Sequence, residues 1–119
     1  MCGIAGFINP RFSDEQKVEL TRNMLSKITY RGPEASNVYV DGPVALGHNR
    51  LKIIDLSDEA NQPFEYDDIV IAFNGEVYNY IEIREELLKH GYRFRTQGDT
   101  EVICAAYKKW GEDCVKHFM

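Results

Sequence analysis

Asp41-Gly42 is the stretch that most constrains what this chain can fold into. It separates Asn37-Val38-Tyr39-Val40 from Val44-Ala45-Leu46-Gly47-His48, two runs that favour strand, and an Asp-Gly pair in that setting supplies the backbone conformation of a tight hairpin turn. An antiparallel pair of strands is therefore built into the middle of the sequence. An all-helical fold and a purely parallel sheet are both excluded by it.

Helical and extended segments surround the hairpin. Residues 2–8 are short, apolar and punctuated by Gly3 and Gly6, which predicts a buried strand whose backbone approaches a neighbour closely. Ser13-Asp14-Glu15-Gln16 offers a capping box, and Val18, Thr21, Met24, Leu25 and Ile28 follow at helical spacing, so a helix is predicted from about residue 14 to 28. Residues 56–66 are polar and contain Pro63, the composition of a surface loop. Ile69-Val70-Ile71-Ala72-Phe73 is continuously apolar and predicts a strand buried on both faces. Asn79 can cap a helix carrying Ile81, Ile83, Leu87 and Leu88, stopped by Gly91. Tyr92-Arg93-Phe94 alternates like a short strand. The last clear helix opens at Gly98-Asp99-Thr100-Glu101, with Asp99 in the N-cap position, and buries Val102, Ile103, Ala106, Tyr107 and Trp110. Gly111 closes it, and another turn can begin within residues 112–119.

With 119 residues, 44% hydrophobic and 28% charged, the chain is long enough for one core and too polar-balanced to be disordered. Its net charge of −5 leaves no basic footprint for nucleic acid. No apolar run spans a bilayer and no signal-type N-terminus is present, so a cytoplasmic location is expected. Cys2, Cys104 and Cys114 are odd in number and lack a CxxC pair, which argues against disulfides and a structural metal. Cys104 and Cys114 read as reduced packing residues.

Cys2 is different. Removal of Met1 would leave one residue with a thiol and a free α-amine whose reference pKa is roughly 7.7–8.0, a nucleophile with its own base. Position alone also fits an inert cysteine near a chain end. The other polar candidates carry similar pairs of readings. Arg31, before Gly32-Pro33, is either a solvated charge or a brace near Cys2. Arg50 lies among apolar residues, so its guanidinium must reach solvent or find a carboxylate of the protein or of a ligand. His48 reads as structural, since no suitably spaced cysteine or carboxylate accompanies it. Asn74-Gly75 is either a hairpin device or, at the end of a rigid strand, an amide and a backbone N–H aimed together as an oxyanion hole. Together these residues supply what acyl transfer from a small zwitterionic amide requires: nucleophile, oxyanion donors and clamps for a carboxylate and an ammonium.

The ordered set Met1-Cys2-Gly3-Ile4-Ala5-Gly6-Phe7, Arg31-Gly32-Pro33, residues 46–57 (LGHNRLKIIDLS), Phe73-Asn74-Gly75-Glu76-Val77-Tyr78-Asn79 and Gly98-Asp99-Thr100-Glu101-Val102-Ile103 resembles the motifs of class II glutamine amidotransferase domains. The resemblance is strongest to the N-terminal glutaminase domain of glutamine-hydrolysing asparagine synthetases. It implies an α+β fold of the N-terminal-nucleophile hydrolase type, an αββα sandwich with antiparallel sheets. It implies Cys2 as the nucleophile on L-glutamine, with Asn74 and Gly75 as oxyanion donors. Arg50 matches the residue that holds the substrate α-carboxylate, Leu51, Lys52, Ile53 and Ile54 the segment lining the glutamine pocket, and Glu76 and Asp99 the residues around the α-ammonium. No cofactor or metal is implied for this domain, whereas ATP and Mg belong to a synthetase domain or subunit that takes the ammonia.

Two departures stand out. Tyr30 and Glu34 flank Arg-Gly-Pro where the family often has histidine and aspartate. The sequence also stops at Met119, before the further strands and the synthetase domain of the family pattern, so residues 1–119 are expected to form a partial amidotransferase domain. An amidotransferase making an amino sugar or a purine precursor shares Cys2 but fits residues 46–57 less well. A non-catalytic glutamine-binding or interaction module is the alternative of a different class. The oligomeric state stays open, a homodimer included.

Overall fold

The computed structural model describes Met1–Met119, a mixed α+β chain with antiparallel sheets that divides into two compact units. The first comprises Met1–Lys52, Asn61–Pro63 and Ala72–Asn74, and the second Ile53–Ala60, Phe64–Ile71 and Gly75–Met119. No helix is long and apolar enough to cross a membrane.

In the first unit a three-stranded sheet runs in the order β1-β3-β2, with β1 at Gly3–Ile8, β2 at Ala35–Asp41 and β3 at Val44–Arg50. The hairpin forms, but its two turn residues are Gly42 and Pro43 rather than Asp41 and Gly42: Gly42 takes φ +52°, Asp41 ends β2, and β2 and β3 pair from Asp41↔Val44 back to Ala35↔Arg50. β1 is an edge strand with alternating exposure rather than a fully buried one, because only β3 hydrogen-bonds to it. The close approach expected at its glycines is present. A Cβ on Gly6 would come within 2.6 Å of the Ala45 carbonyl oxygen.

Helix α1, Asp14–Ser26, starts with the capping box of Ser13 and Gln16. Its buried face is Lys17, Thr21 and Leu25, an i, i+4, i+8 row rather than the row drawn through Val18 and Met24. Lys17 can occupy it because its stem packs while its ammonium reaches the carbonyls of Phe12 (3.1 Å) and Gly42 (2.6 Å) and the carboxylate of Asp14 (3.2 Å). Thr21 and Leu25 lie over Gly47, where a Cβ would stand 2.7 Å from Thr21 Cγ2 and 2.8 Å from Leu25 Cδ1. A short 3-10 helix, Thr29–Arg31, then leads to Gly32.

In the second unit β4 (Phe64–Tyr66) and β5 (Ile69–Ile71) form a two-stranded antiparallel sheet, with helices α2 (Tyr80–Lys89) and α3 (Asp99–Trp110). Three expectations are corrected here. The apolar run ends as strand at Ile71 and is only half-buried, because β4 offers just three residues to pair with. The segment expected as a polar loop contains β4, whose Phe64 and Tyr66 are core residues. Residues 92–94 form no strand, having no ladder partner. α3 buries Glu101, Val102, Cys104, Ala105 and Ala106, while Tyr107 is exposed. A 3-10 helix, Gly111–His117, follows it, its His117 ring stacked on Trp110 at 3.8 Å.

Candidate functional site

Cys2 lies just before β1, and its neighbours belong to the far end of β3. The Leu51 N–H donates to Cys2 Sγ at 3.3 Å, and the thiol faces the Leu51 carbonyl at 3.7 Å. The sulfur is thus held by the residue after Arg50, the last residue of β3. Arg31 Nε donates to the Cys2 carbonyl at 3.1 Å, which decides between its two readings in favour of the brace. The reason for Gly32 is steric: a Cβ would meet the Asn49 carbonyl carbon at 2.5 Å and the Arg50 carbonyl carbon at 2.6 Å. Only glycine lets the loop lie on the end of β3, where the Glu34 N–H also bonds the Arg50 carbonyl at 3.1 Å.

The rest of that end of β3 is buried and polar. His48, Asn49 and Arg50 are all buried, and buried polar groups persist where they are paired. Asn49 Nδ2 donates to the last-turn carbonyl of Leu25 at 2.9 Å, tying the strand to α1. Arg50 Nη1 donates to Asn61 Oδ1 at 2.8 Å, so an amide oxygen is among its partners where the sequence suggested a carboxylate or solvent. His48 Nε2 donates to the Phe73 carbonyl at 3.2 Å, in keeping with a structural role. Burial pushes the His48 pKa down; the Phe73 carbonyl opposes that shift and the Arg50 charge reinforces it. With Nε2 donating to the Phe73 carbonyl, Nδ1 is left without a partner.

Asn74 is half-buried in the first unit. It does not project from a strand end, since β5 stops at Ile71. Instead the preceding residue is pinned by side chains: the Phe73 N–H donates to Gln62 Oε1 at 2.6 Å while its carbonyl takes the His48 bond. Cys2, Arg50, Leu51, Lys52 and Asn74 therefore all belong to the first unit.

Ile53, Ile54, Gly75, Glu76 and Asp99 belong to the second. Ile53 and Ile54 are exposed in a bend, as are Gly75 and Glu76 in their loop. Asp99 is buried but is not the N-cap of α3: Gly98 holds that position, and no side-chain cap bond is made. The Asp99 carboxylate has a long-range acceptor role instead, taking the Val77 N–H at 2.9 Å, and so fixes the residue next to Glu76. Asn79 precedes α2 without capping it. Its amide accepts from the Met119 N–H at 2.7 Å and donates to the His117 carbonyl at 2.8 Å.

Two carboxylates that sequence reasoning left without a role organise the approach to Asp99. Glu101, 2% exposed, accepts the N–H of Arg95 at 3.0 Å and, from Thr96, both the N–H at 2.8 Å and the hydroxyl at 2.7 Å. Asp55 accepts the Gln97 N–H at 2.7 Å and the Ser57 N–H at 2.8 Å. Three consecutive loop amides before Gly98 are thus satisfied by side-chain carboxylates, two by Glu101 in the first turn of α3 and one by the distant Asp55. A glutamate inside the first turn of a predicted helix is an ordinary favourable residue, so nothing local in the sequence distinguishes Glu101.

Buried Cys104 has its thiol pushed up to about 12 by desolvation, with Glu101 adding to the effect, and burial also raises Cys114. Of the three cysteines only Cys2 is not buried.

The glutamine amidotransferase domain model matches residues 1–119 from end to end. The chain belongs to the class II glutamine amidotransferase domain family. Full-length relatives agree. This amidotransferase domain is 43% identical over 117 residues to asparagine synthetase [glutamine-hydrolyzing] 1 of Bacillus subtilis, covering 95% of the chain and 18% of that protein. It is 38% identical over 138 residues to putative asparagine synthetase [glutamine-hydrolyzing] 2 of Methanocaldococcus jannaschii, covering 99% of the chain and 26% of the relative. Asparagine synthetase [glutamine-hydrolyzing] 1 of Arabidopsis thaliana is 36% identical over 117 residues, covering 97% and 20%. The domain therefore spans 18–26% of the length of these relatives and is homologous to their glutaminase region.

Proposed function

We propose that this domain hydrolyses L-glutamine to glutamate and ammonia through a Cys2 thioester, and that the ammonia serves an ATP-dependent synthetase domain or subunit that makes asparagine or a related amide. The observation that carries the reading is the placement of the Cys2 sulfur, 3.3 Å from the Leu51 N–H at the end of the strand that carries Arg50. Met1 is exposed, open to removal. Its loss would free the Cys2 α-amine to take the thiol proton as sulfur attacks the side-chain carbonyl carbon. The C–N bond then breaks, the proton passes to the leaving nitrogen, and ammonia departs. Water adds to the thioester and releases glutamate and the thiol.

In this reading Asn74 and Gly75 donate to the oxyanion. Arg50 takes the α-carboxylate, the forked guanidinium matching its two oxygens, while Glu76 and Asp99 serve the α-ammonium and residues 51–54 line the substrate. The complete fold is proposed to be the αββα sandwich of N-terminal-nucleophile hydrolases.

Intact mass and covalent labelling test the nucleophile. The expected result is loss of Met1, and modification of Cys2 by a glutamine-derived electrophile well before Cys104 or Cys114. Even labelling of all three would sink the assignment. Arg50→Ala should reduce turnover of glutamine more than that of an amide lacking the α-carboxylate, and equal losses would make Arg50 structural.

A further inference from the structure

Phe73 has no strand partner, yet both of its backbone polar groups are held by buried side chains. Its N–H donates to Gln62 Oε1 at 2.6 Å and its carbonyl accepts from His48 Nε2 at 3.2 Å. His48 is 0% and Gln62 7% exposed, so both bonds run from buried side chains to the half-buried Phe73. The Phe73 carbonyl belongs to the peptide unit that also contains the Asn74 nitrogen and leads to its Cα, and a peptide unit is planar. Fixing that carbonyl therefore fixes where Asn74 begins. His48 itself is well anchored, on the central strand β3, beside Asn49 with its bond to α1 and two residues before Arg50.

We propose that His48 and Gln62 are positioning residues that clamp the two peptide units flanking Phe73, His48 the Phe73–Asn74 unit and Gln62 the Ala72–Phe73 unit, and so aim the Asn74 amide at the reacting oxygen. The inference rests on the glutaminase reading for the role of Asn74, while the clamp itself stands on geometry. It replaces the rigid strand end that the sequence suggested: a donor aimed at a developing charge must be preorganised, and here two side chains do what a ladder would do. The other ring nitrogen, Nδ1, has no partner, so the bond to the Phe73 carbonyl is the one through which the ring acts.

The test separates the clamp from the chemistry. Amide exchange by NMR on the full chain reads the clamp directly. The Phe73 N–H should be protected in the wild type and should exchange at least about tenfold faster in Gln62→Met, which keeps the bulk and removes the acceptor. Unchanged exchange overturns the clamp whatever the enzyme does. An aldehyde analogue of glutamine, which forms a tetrahedral adduct with Cys2, reads its purpose. His48→Leu and Gln62→Met should each weaken the adduct by about 10- to 100-fold while glutamine affinity changes by less than about threefold. His48→Gln and Gln62→Glu, which restore a donor and an acceptor, should recover most of that loss. Equal weakening of adduct and glutamine makes both residues merely structural, and no weakening refutes positioning. A wild type that forms no adduct refutes the glutaminase reading, and with it the purpose assigned to the clamp, whereas failure in the variants alone leaves glutaminase chemistry intact. Gln62→Met supplies both readouts if His48→Leu does not fold.

Discussion

Replacing Glu101 should unfold more of this domain than any other single carboxylate described above. The side chain accepts three donors: the Arg95 N–H, the Thr96 N–H and the Thr96 hydroxyl, at 2.7–3.0 Å. Thr96 is buried whereas Arg95 is exposed, so in Glu101→Ala the Arg95 amide can turn to water but the two Thr96 donors cannot. An orphaned buried donor costs about 1–3 kcal/mol, and the truncated side chain leaves a void, so a loss of about 3–5 kcal/mol is expected. Glu101→Gln keeps one oxygen for Thr96 and loses the charge; charged partners add about 1 kcal/mol per bond, while the neutral amide is easier to bury, giving about 1–3 kcal/mol. Thr96→Val removes one donor at constant shape and should cost about 1 kcal/mol. With a urea m-value of about 2 kcal/mol/M, the alanine variant should shift the denaturation midpoint down by about 2 M. An alanine loss under about 1 kcal/mol, or a valine loss equal to it, would refute the view that this carboxylate organises the loop.

Gly47→Ala places a methyl within 2.8 Å of both Thr21 and Leu25, and overpacking there should cost about 1–3 kcal/mol, read as a lowered thermal midpoint. The second expectation concerns pH. His48 has a folded pKa below its ordinary 6.5, so the unfolded chain takes up the proton first as pH falls. The His48 contribution to stability is complete above pH 6.5, falls by up to about 1.4 kcal/mol per pH unit below it, and levels off once the folded pKa is passed. Urea titrations between pH 8 and 5 should give a shallower slope for His48→Leu than for the wild type; parallel slopes would count against this account.

The fold was legible where local chemistry sufficed. Gly42 supplies the turn conformation, its flanks favour strand, and the hairpin pairs from Asp41↔Val44. Ser13 and Gln16 cap α1 as a box because both partners lie within one turn. Legibility ended where a partner was distant. The apolar run at 69–73 carries no information about how long a neighbour it will find, and β4 supplies only Phe64, Glu65 and Tyr66. Residues 92–94 alternate properly but meet the Tyr66 hydroxyl at Arg93 instead of a strand. Asp99 stands at a helix start, where a cap is the local expectation, yet its carboxylate is taken by Val77, 22 residues away.

That pattern has a consequence for how the candidate residues are held. Cys2 is fixed by Arg31 and Leu51, Phe73 by His48 and Gln62, Val77 by Asp99, and the loop before Gly98 by Glu101 and Asp55. Most of these holds are bonds from a polar side chain to a backbone group. Such bonds impose no periodicity on the sequence, so hydrophobic patterning passes over them and a motif resemblance reports them only as letters. They also differ physically from a ladder, since each ties down one short segment and, at Arg31, His48, Gln62 and Asp99, does so through one bond to that segment. A change at Arg31 or Gln62 should therefore perturb the neighbouring candidate residue before it unfolds the sheets. By contrast, Gly47→Ala strikes at the packing of α1 on β3 and should lower stability and activity together.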